Sequence, residues 1–448
     1  MAEKPSREFF RIAVPAVLES LVGVVITTVD TKMIAPLGKE AVSAVSLTAQ
    51  PKLLFLSIFY ALGTASSIFV SQALGKRDKD EANAYFHAVL RISFMLSLVL
   101  GLALFVFAEP AMHLFSRQQE TMALSVSFSR IIMGFMVLQC TQIVLNASLR
   151  GIGETRVTFV SSIVMAVVDV LLNYLLIEGR WGFPALGVVG DAVATVGGTA
   201  ASCAVCAFYL RRRSDFLDLK GIVAKRETEP EVARNIRDKA GNIALENLFT
   251  RIGFLLSSVI VSGLPADDTA VYFVAMILMN YTFAFGDGLQ SAVAALTGRS
   301  MGERQYDKVE GYIRQGRAAG ALVATMLSAV YILGAQWFYG LYFPDAADVA
   351  RGAQYSYVVA SLTFLQILRI VNIAGMRGMG EVVLPSRIAM ICVLIVNPLS
   401  SYLLAEVCGY GVWGIWVASL ITQVIWFVAS IAGASSCIRR ARKEKAEE

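Results

Sequence analysis

The sequence predicts an all-α integral membrane protein, with twelve transmembrane helices in two six-helix bundles related by a pseudo-twofold axis along the membrane normal. Composition is the first reason: of 448 residues, 56% are hydrophobic and 16% charged, with a mean hydropathy of +0.63. Soluble domains carry about a quarter charged residues, so an ordinary water-soluble enzyme is excluded. The second reason is a succession of twelve apolar runs, each long enough to supply the roughly 20 residues that cross a hydrocarbon core of about 30 Å. The third is an internal repeat at a constant offset. The net charge of +5 falls in short basic clusters between apolar runs and at both chain ends, which reads as a topology signal and not as a nucleic-acid surface.

In order, the runs lie at roughly 10–35, 41–74, 84–108, 121–148, 156–178, 186–210, 241–264, 269–297, 311–337, 348–375, 383–406 and 411–437. The first follows Lys4, Arg7 and Arg11; it is too long for a signal-peptide core and has no small-residue cleavage site on a polar flank, so it is expected to be retained. With the N-terminus inside, the outer loops hold only Lys39, Arg117, Arg180 and Arg351 among the basic loop residues. The positive-inside rule then puts both termini in the cytoplasm of a multi-pass plasma (inner) membrane protein. Arg211 to Lys239 is the only long charged stretch within the chain. It divides the chain into an N-terminal bundle (1–210), a solvated cytoplasmic linker (211–240) and a C-terminal bundle with a basic tail (241–448). Thr228, Pro230 and Glu231 have the pattern of a helix N-terminus inside that linker.

The repeat is explicit. "VSQALGKRD" from Val70 and "TGRSMGERQ" from Thr297 pair Gly75 with Gly302 and Arg77 with Arg304. At the same offset, "LRGIGET" from Leu149 and "MRGMGEV" from Met376 pair Arg150, Gly151, Gly153 and Glu154 with Arg377, Gly378, Gly380 and Glu381. "GVVG" from Gly187 and "GVWG" from Gly411 pair after a three-residue gap. Six spans per repeat return the chain to the side it entered from, so the two halves share one orientation and a pathway is expected between them near the midplane.

These motifs, with Asp30 in "TTVDTKMIAPLG" and the stretch "GTASSIFVSQALGKRD" from Gly63, resemble the multidrug and toxic compound extrusion (MATE) transporters over nearly the whole chain. Pro15 and Asp30 in the first helix, with an acid and an amide in the fifth, look most like the DinF-like branch. The resemblance implies secondary active export of lipophilic or cationic organic compounds in exchange for H⁺ or Na⁺, with no cofactor and no enzymatic activity. In the fifth helix that branch shows Asn and then Asp four residues later, whereas this chain has Asp169 and then Asn173; at that spacing both still share a face. The NorM-like branch has an acid in the seventh helix, matched by Glu246, and another in the tenth, where this chain has Arg369 and Asn372.

A carboxylate within the bilayer is costly and calls for a partner or a function. Asp30 lies 19 residues past Arg11, about 28 Å along a helix, and Asp169 lies 13 past Arg156, about 20 Å, so both fall beyond the midpoint and can share a pocket. Two carboxylates in one poorly hydrated site repel, and taking up a proton relieves the repulsion. The expected cation-coupling set is Asp30, Asp169, Asn173, Thr195, Glu19 and Asp191, the last two as an inner relay and an outer contributor; Asp30, Asp169, Asn173 and Thr195 are hard oxygen ligands suited to Na⁺ as well. Glu19 shares a face with Asp30 three turns away, and the alternative reading makes it a partner for Lys52 or a backbone amide. Pro15 should let the first helix bend beneath it.

The expected substrate-binding set is Asp30, Met33, Gln50, Tyr60, Gln139, Asn146, Met165, Met279 and Asp287. Gly286 and Gly288 beside Asp287 would permit local unwinding around a ligand, and Glu246, with Arg251 just above it, reads equally as half of an inner-end ion pair or as a transport residue. Lys32, Lys52, Arg130 and Arg369 would instead suit anionic or zwitterionic cargo. Cys203 and Cys206 have metal-like spacing without a second ligand pair and read as buried hydrophobes. The Gly-x-Gly of "RGIGET" follows no strand, and the sequons at Asn146 and Asn280 are out of reach of glycosylation. The expected partners are small organic molecules and the lipid bilayer, with no nucleic acid, and the chain is expected to be a monomer. A lipid-linked precursor flippase and an integral membrane transferase are the rival readings; the short outer loops leave little to hold a soluble donor.

Overall fold

The computed structural model describes residues 5–115, 119–222 and 229–447. The first half comprises α1 (Pro5–Ile34), α2 (Lys39–Lys76), α3 (Lys79–Val106), α4 (Ala108–Phe115), α5 (Gln119–Gly134), α6 (Met136–Gly151), α7 (Thr155–Leu176) and α8 (Val188–Arg212). The second comprises α9 (Pro230–Ser262), α10 (Ala266–Gly302), α11 (Tyr306–Leu333), α12 (Ala335–Gly340), α13 (Ala346–Gly378), α14 (Val383–Met390), α15 (Asn397–Tyr402) and α16 (Gly411–Glu447). Eleven of the helical spans are long and apolar enough to cross a membrane, and α5 with α6 makes up to twelve. The fold is thus the all-α membrane architecture that the sequence predicts.

Among the described residues, one span carries a sharp bend and another carries widened turns. The fourth apolar run bends by 49° between α5 and α6, where Gly134 ends α5 and the ring of Phe105 fills the space its Cβ would need. The eleventh passes through two wider π turns, Ile391–Val396 and Leu403–Val407, on either side of α15. Pro398 has no N–H for the carbonyl one turn back, and widening the turn accommodates the break.

The described residues form two compact units. One is Leu18–Ala244; the other joins Met1–Val17 to Leu245–Glu448. The first has a core that includes Phe59, Phe69, Phe86, Met136 and Leu149. In the second, Phe9, Ile12 and Ala13 of α1 pack with Leu289, Val293, Ile367 and Val371, and Tyr272, Tyr355 and Trp416 centre a further cluster. The boundaries cut two continuous helices at equivalent points of the repeat, between Val17 and Leu18 in α1 and between Ala244 and Leu245 in α9. The start of each helix therefore packs in the unit built mainly from the other half, a division that cuts differently from 1–210 and 241–448.

The connector is more than a solvated tether. Pro230 and Glu231 open α9, with Thr228 outside the described residues. Earlier in the segment, Leu217 is fully buried, Asn83 Nδ2 donates to the Phe216 carbonyl at 2.9 Å and accepts from Asp218 N–H at 2.9 Å through its Oδ1. The His87 ring pairs with the Asp218 carbonyl at 2.7 Å. Residues 214–221 are thereby pinned along α3.

The repeated turns have repeated geometry. Arg77 and Arg304 both adopt left-handed φ, 59° and 55°, and Gly153 and Gly380 do so at 84° and 89°. In "RGIGET" and "MRGMGEV" the N–H of Glu154 reaches the Leu149 carbonyl at 2.9 Å, and that of Glu381 the Met376 carbonyl at 3.0 Å, as in a helix C-terminal cap that turns on a left-handed residue. The first glycine of each motif has another task. A Cβ on Gly151 would meet Ser67 O at 2.8 Å, and one on Gly378 would meet Ala294 O at 2.7 Å. Ser67 and Ala294 are themselves repeat partners. Lipid tails are as apolar as the side chains, so such close approach of backbones, and not exclusion of water, holds these helices together.

Candidate cation-coupling site

The site is built where α7 packs along α8. A Cβ on Gly198 would lie 2.8 Å from Met165 O and 3.0 Å from Asp169 Cβ, so glycine is what lets α8 approach the backbone of α7 at this level. The antiparallel pair then sets Asp169 and Asn173, one turn apart, against Thr195 and Asp191, also one turn apart. Thr195 is thereby a neighbour of Asp169, and Asn173 of Asp191. Asp169, Asn173 and Asp191 are almost wholly buried.

Asp30 enters from α1. Asn173 Nδ2 donates to Asp30 Oδ1 at 3.3 Å and to Asp169 Oδ2 at 3.4 Å, so one amide nitrogen joins the two carboxyl groups. Lys52 of α2 faces the same cluster and interacts with Asp191, Asp169 and Asp30 through its charge. Three oxygens remain without a hydrogen-bond partner although buried: Asp169 Oδ1, Asn173 Oδ1 and Asp191 Oδ1. Unmatched buried acceptors of this kind are costly unless a proton or a cation reaches them.

Glu19 belongs to a different cluster. Arg150 Nη1 donates to its Oε1 at 2.7 Å, Thr158 Oγ1 to its Oε2 at 2.5 Å and Asn146 Nδ2 to its Oε1 at 3.4 Å. The partner is thus the arginine of the repeated motif, in place of Lys52 or a backbone amide. Asn146 also accepts from Ser161 at 3.4 Å and from Cys206 at 3.2 Å, which accounts for its polar atoms without a substrate. In the second half Glu246 pairs with Arg377 at 2.9 Å and accepts from Ser386 at 3.2 Å, while Arg251 is exposed; the expected Glu246–Arg251 pair is replaced. Glu19 and Glu246 stand at the offset that relates Arg150 to Arg377. That equivalence was readable in the sequence and is the signal that would have found both pairs.

The remaining expected residues scatter. Met33 packs beside Ile34, Phe128 and Ile132, and Met165 takes a 3.4 Å contact from Gln142 Nε2. Tyr60 is exposed and Gln139 half-buried, while the side chain of Gln50 lies outside the described residues. Met279 is 5% exposed within the packed core of its unit. Asp287 is exposed on α10, and α10 runs unbroken through it. Its neighbouring glycines serve crossings: a Cβ on Gly286 would meet Ile370 Cδ1 at 2.7 Å, and one on Gly288 would strike the backbone of Val17 in α1, with its nitrogen at 2.6 Å. Local unwinding is therefore not what they provide. Pro15 lies inside α1, three residues before the boundary at Leu18.

The MatE family model matches residues 15–175 and again 243–403. The chain belongs to the MatE family. The two matched segments fall on the two halves of the repeat, and membership makes this chain a membrane transporter. The MatE chain is 24% identical over 424 residues to a protein named "Uncharacterized transporter YisQ" of Bacillus subtilis, covering 92% of this chain and 90% of that one. It is 22% identical to a Thermotoga maritima protein named "Probable multidrug resistance protein NorM", covering 94% and 90%. In fold it is similar to a crystal structure of MATE in the bent conformation, with a TM-score of 0.90 and 18% identity over 99% of this chain and 98% of that one. A MOP superfamily transporter from Pyrococcus furiosus, described as having a binding pocket of reverse polarity, superposes with a TM-score of 0.90 at 19% identity, covering 99% of this chain and 97% of that one.

Proposed function

We propose that this MatE chain is a secondary active antiporter that exports lipophilic or cationic organic compounds in exchange for H⁺ or Na⁺ by alternating access. The observation that carries the reading is the buried cluster of Asp30, Asp169 and Asp191 around Asn173, Thr195 and Lys52, with three oxygens left unmatched. Two carboxyl groups that share one amide donor repel when both are ionised, and a proton on one relieves the repulsion, so proton entry and exit at this pair alters the contacts that hold α1 to α7. Lys52 supplies a tethered positive charge. The same oxygens, with Thr195, form a hard-ligand set that also suits Na⁺. Relatives named as multidrug resistance proteins support an organic substrate.

The mechanism follows from differential affinity. A substrate cation and the coupling ion compete for the same negative charge, and each ligand shifts the conformational equilibrium only by its difference in affinity for the two states. Pro15 leaves α1 without one backbone hydrogen bond just before the segment that leads to Asp30, and α1 is the element whose bending would transmit the change. The test is transport by purified protein in proteoliposomes under separate pH and sodium gradients. Asp30→Asn and Asp169→Asn should each abolish gradient-driven export while substrate binding and folding persist. Unchanged export by Asp30→Asn would defeat the reading, and the gradient that drives the wild type identifies the ion.

A further inference from the structure

The start of α1 is held within its unit by a chain of polar contacts. Glu8, in the first turn, uses both carboxylate oxygens: Arg299 Nη1 of α10 donates to Oε1 at 2.9 Å, and the Tyr312 hydroxyl of α11 donates to Oε2 at 2.7 Å. Arg299 Nε in turn donates to Glu303 Oε1 at 2.9 Å, and Lys308 stands 3.9 Å from the other oxygen of Glu303. An isolated exposed ion pair contributes little, but here one carboxylate joins three helices, and Phe9, Ile12 and Ala13 bury the adjacent face. Further along, Val17 crosses α10 so closely that a Cβ on Gly288 would lie 2.4 Å from its Cα. Pro15 lies between these two points of attachment.

The repeat supplies an internal comparison. Positions 8 and 235, and 85 and 312, stand at the offset that relates Arg150 to Arg377. The second clamp is neutral: Asn235 Nδ2 of α9 donates to the Tyr85 hydroxyl at 2.9 Å. Its flanking ion pair, Lys76 with Glu81 at 2.9 Å, occupies the positions of Glu303 and Lys308 with the charges exchanged. Ile236 and Ala240 take the places of Phe9 and Ala13 in the core. The rest of the arrangement is peculiar to α1. Asn242 stands at the position of Pro15 and Ala61 at that of Gly288, and Asn242 turns its amide back to the Asp238 carbonyl at 2.7 Å. Both helices are fastened at their starts; α1 adds a break and a glycine crossing.

A helix fixed at one end and crossed closely further on can swing its far end only by yielding between the two points. Pro15 removes the N–H that would bond the Arg11 carbonyl one turn back, which makes that stretch the place to yield. We propose that Glu8 is a positioning residue for transport: held by Arg299 and Tyr312, it fixes the start of α1, so that movement of the segment carrying Asp30 pivots at the Gly288 crossing and is taken up at Pro15. The clamp thereby turns a change of charge at Asp30 and Asp169 into a bend of α1 instead of a slip of its end. The inference rests on the antiporter reading for the source of that charge change, and its experiment reads the bend and not transport.

The test is the distance between spin labels at Phe10→Cys and Val25→Cys, both exposed on α1 and about 22 Å apart along a straight helix, in the cysteine-free full chain at one pH. Neutralising the coupling pair by Asp30→Asn with Asp169→Asn should shift the distance distribution. Glu8→Ala with Tyr312→Phe should abolish the shift. Glu8→Gln, a milder change that keeps an acceptor for Tyr312, should reduce the shift without abolishing it while the protein elutes as folded. Asn235→Ala with Tyr85→Phe opens the equivalent clamp on the helix without the proline and should leave the shift intact, as a general loss of packing would not. The proposal is overturned by a full shift in the Glu8 variants, by an equal loss in the Asn235→Ala, Tyr85→Phe protein, or by no shift on neutralising the pair. Gradient-driven export by the wild type, measured separately, decides the antiporter reading alone.

Discussion

At the scale of single residues, the chain uses buried carboxylates in two distinct ways. Asp30, Asp169 and Asp191 crowd together with unmatched oxygens, whereas Glu19 and Glu246 are each held by an arginine and hydroxyl groups. Removing one partner of a buried ion pair typically costs about 3–5 kcal/mol, because the other charge is left unmatched. Glu19→Gln should therefore lower the thermal midpoint of the purified protein, and Glu246→Gln should do the same. Adding Arg150→Gln to Glu19→Gln should recover part of the loss, since the neutral pair strands no charge. Single variants as stable as the wild type would show that these pairs are incidental. The sequence exposed Asp30, Asp169, Asn173 and Thr195 through their rarity and helical spacing, and the structure brings these four together. It also brings in Asp191, whose distance from the outer end of its run conceals how far α8 overlaps α7. The partner of Glu19 was hidden for a different reason: Arg150 is 131 positions away, and only the repeat, applied to acids as well as glycines, connects the two.

At the scale of elements, helices in lipid are joined by close backbone approach, and this makes specific glycines intolerant of side chains. Gly288→Leu should disrupt the crossing of α10 by α1 and reduce folded yield, because the added atoms would occupy the Val17 backbone. Gly23→Leu is the matched control, since a Cβ there meets nothing within 4 Å; equal yields from the two would argue against the crossing. Pro15→Ala restores a backbone donor to α1 and should slow transport while leaving substrate affinity unchanged, as read by comparing flux with equilibrium binding. Hydropathy located the spans well because length and apolarity are what a bilayer selects. It did not show the 49° break between α5 and α6 or the π turns around Pro398. Those depend on which side chain fills the space beside a given turn, as Phe105 does beside Gly134, and a hydropathy window averages that information away.

At the scale of the whole molecule, the orientation drawn from loop charge can be tested directly. In a cysteine-free background, Arg213→Cys and Arg351→Cys should react with a membrane-impermeant maleimide from opposite faces of oriented vesicles. Reaction from one face would overturn the proposed topology. The repeat itself was legible from the Gly and Arg motifs, and its physical content is now visible in matched left-handed turns, matched close approaches and matched Glu–Arg pairs. The division of α1 at Val17 and of α9 at Ala244 also bears on biosynthesis. The unit Leu18–Ala244 lacks Val232, Ile236 and Ala240 of its core until the start of α9 has been translated, and the joined unit waits longer: Phe9, Ile12 and Ala13 leave the ribosome first, yet the residues they pack against, Leu289 to Val371, are made in the second half. Neither half should mature as a free-standing fragment, and a nick in the connector after both have assembled should leave two chains that remain bound to each other.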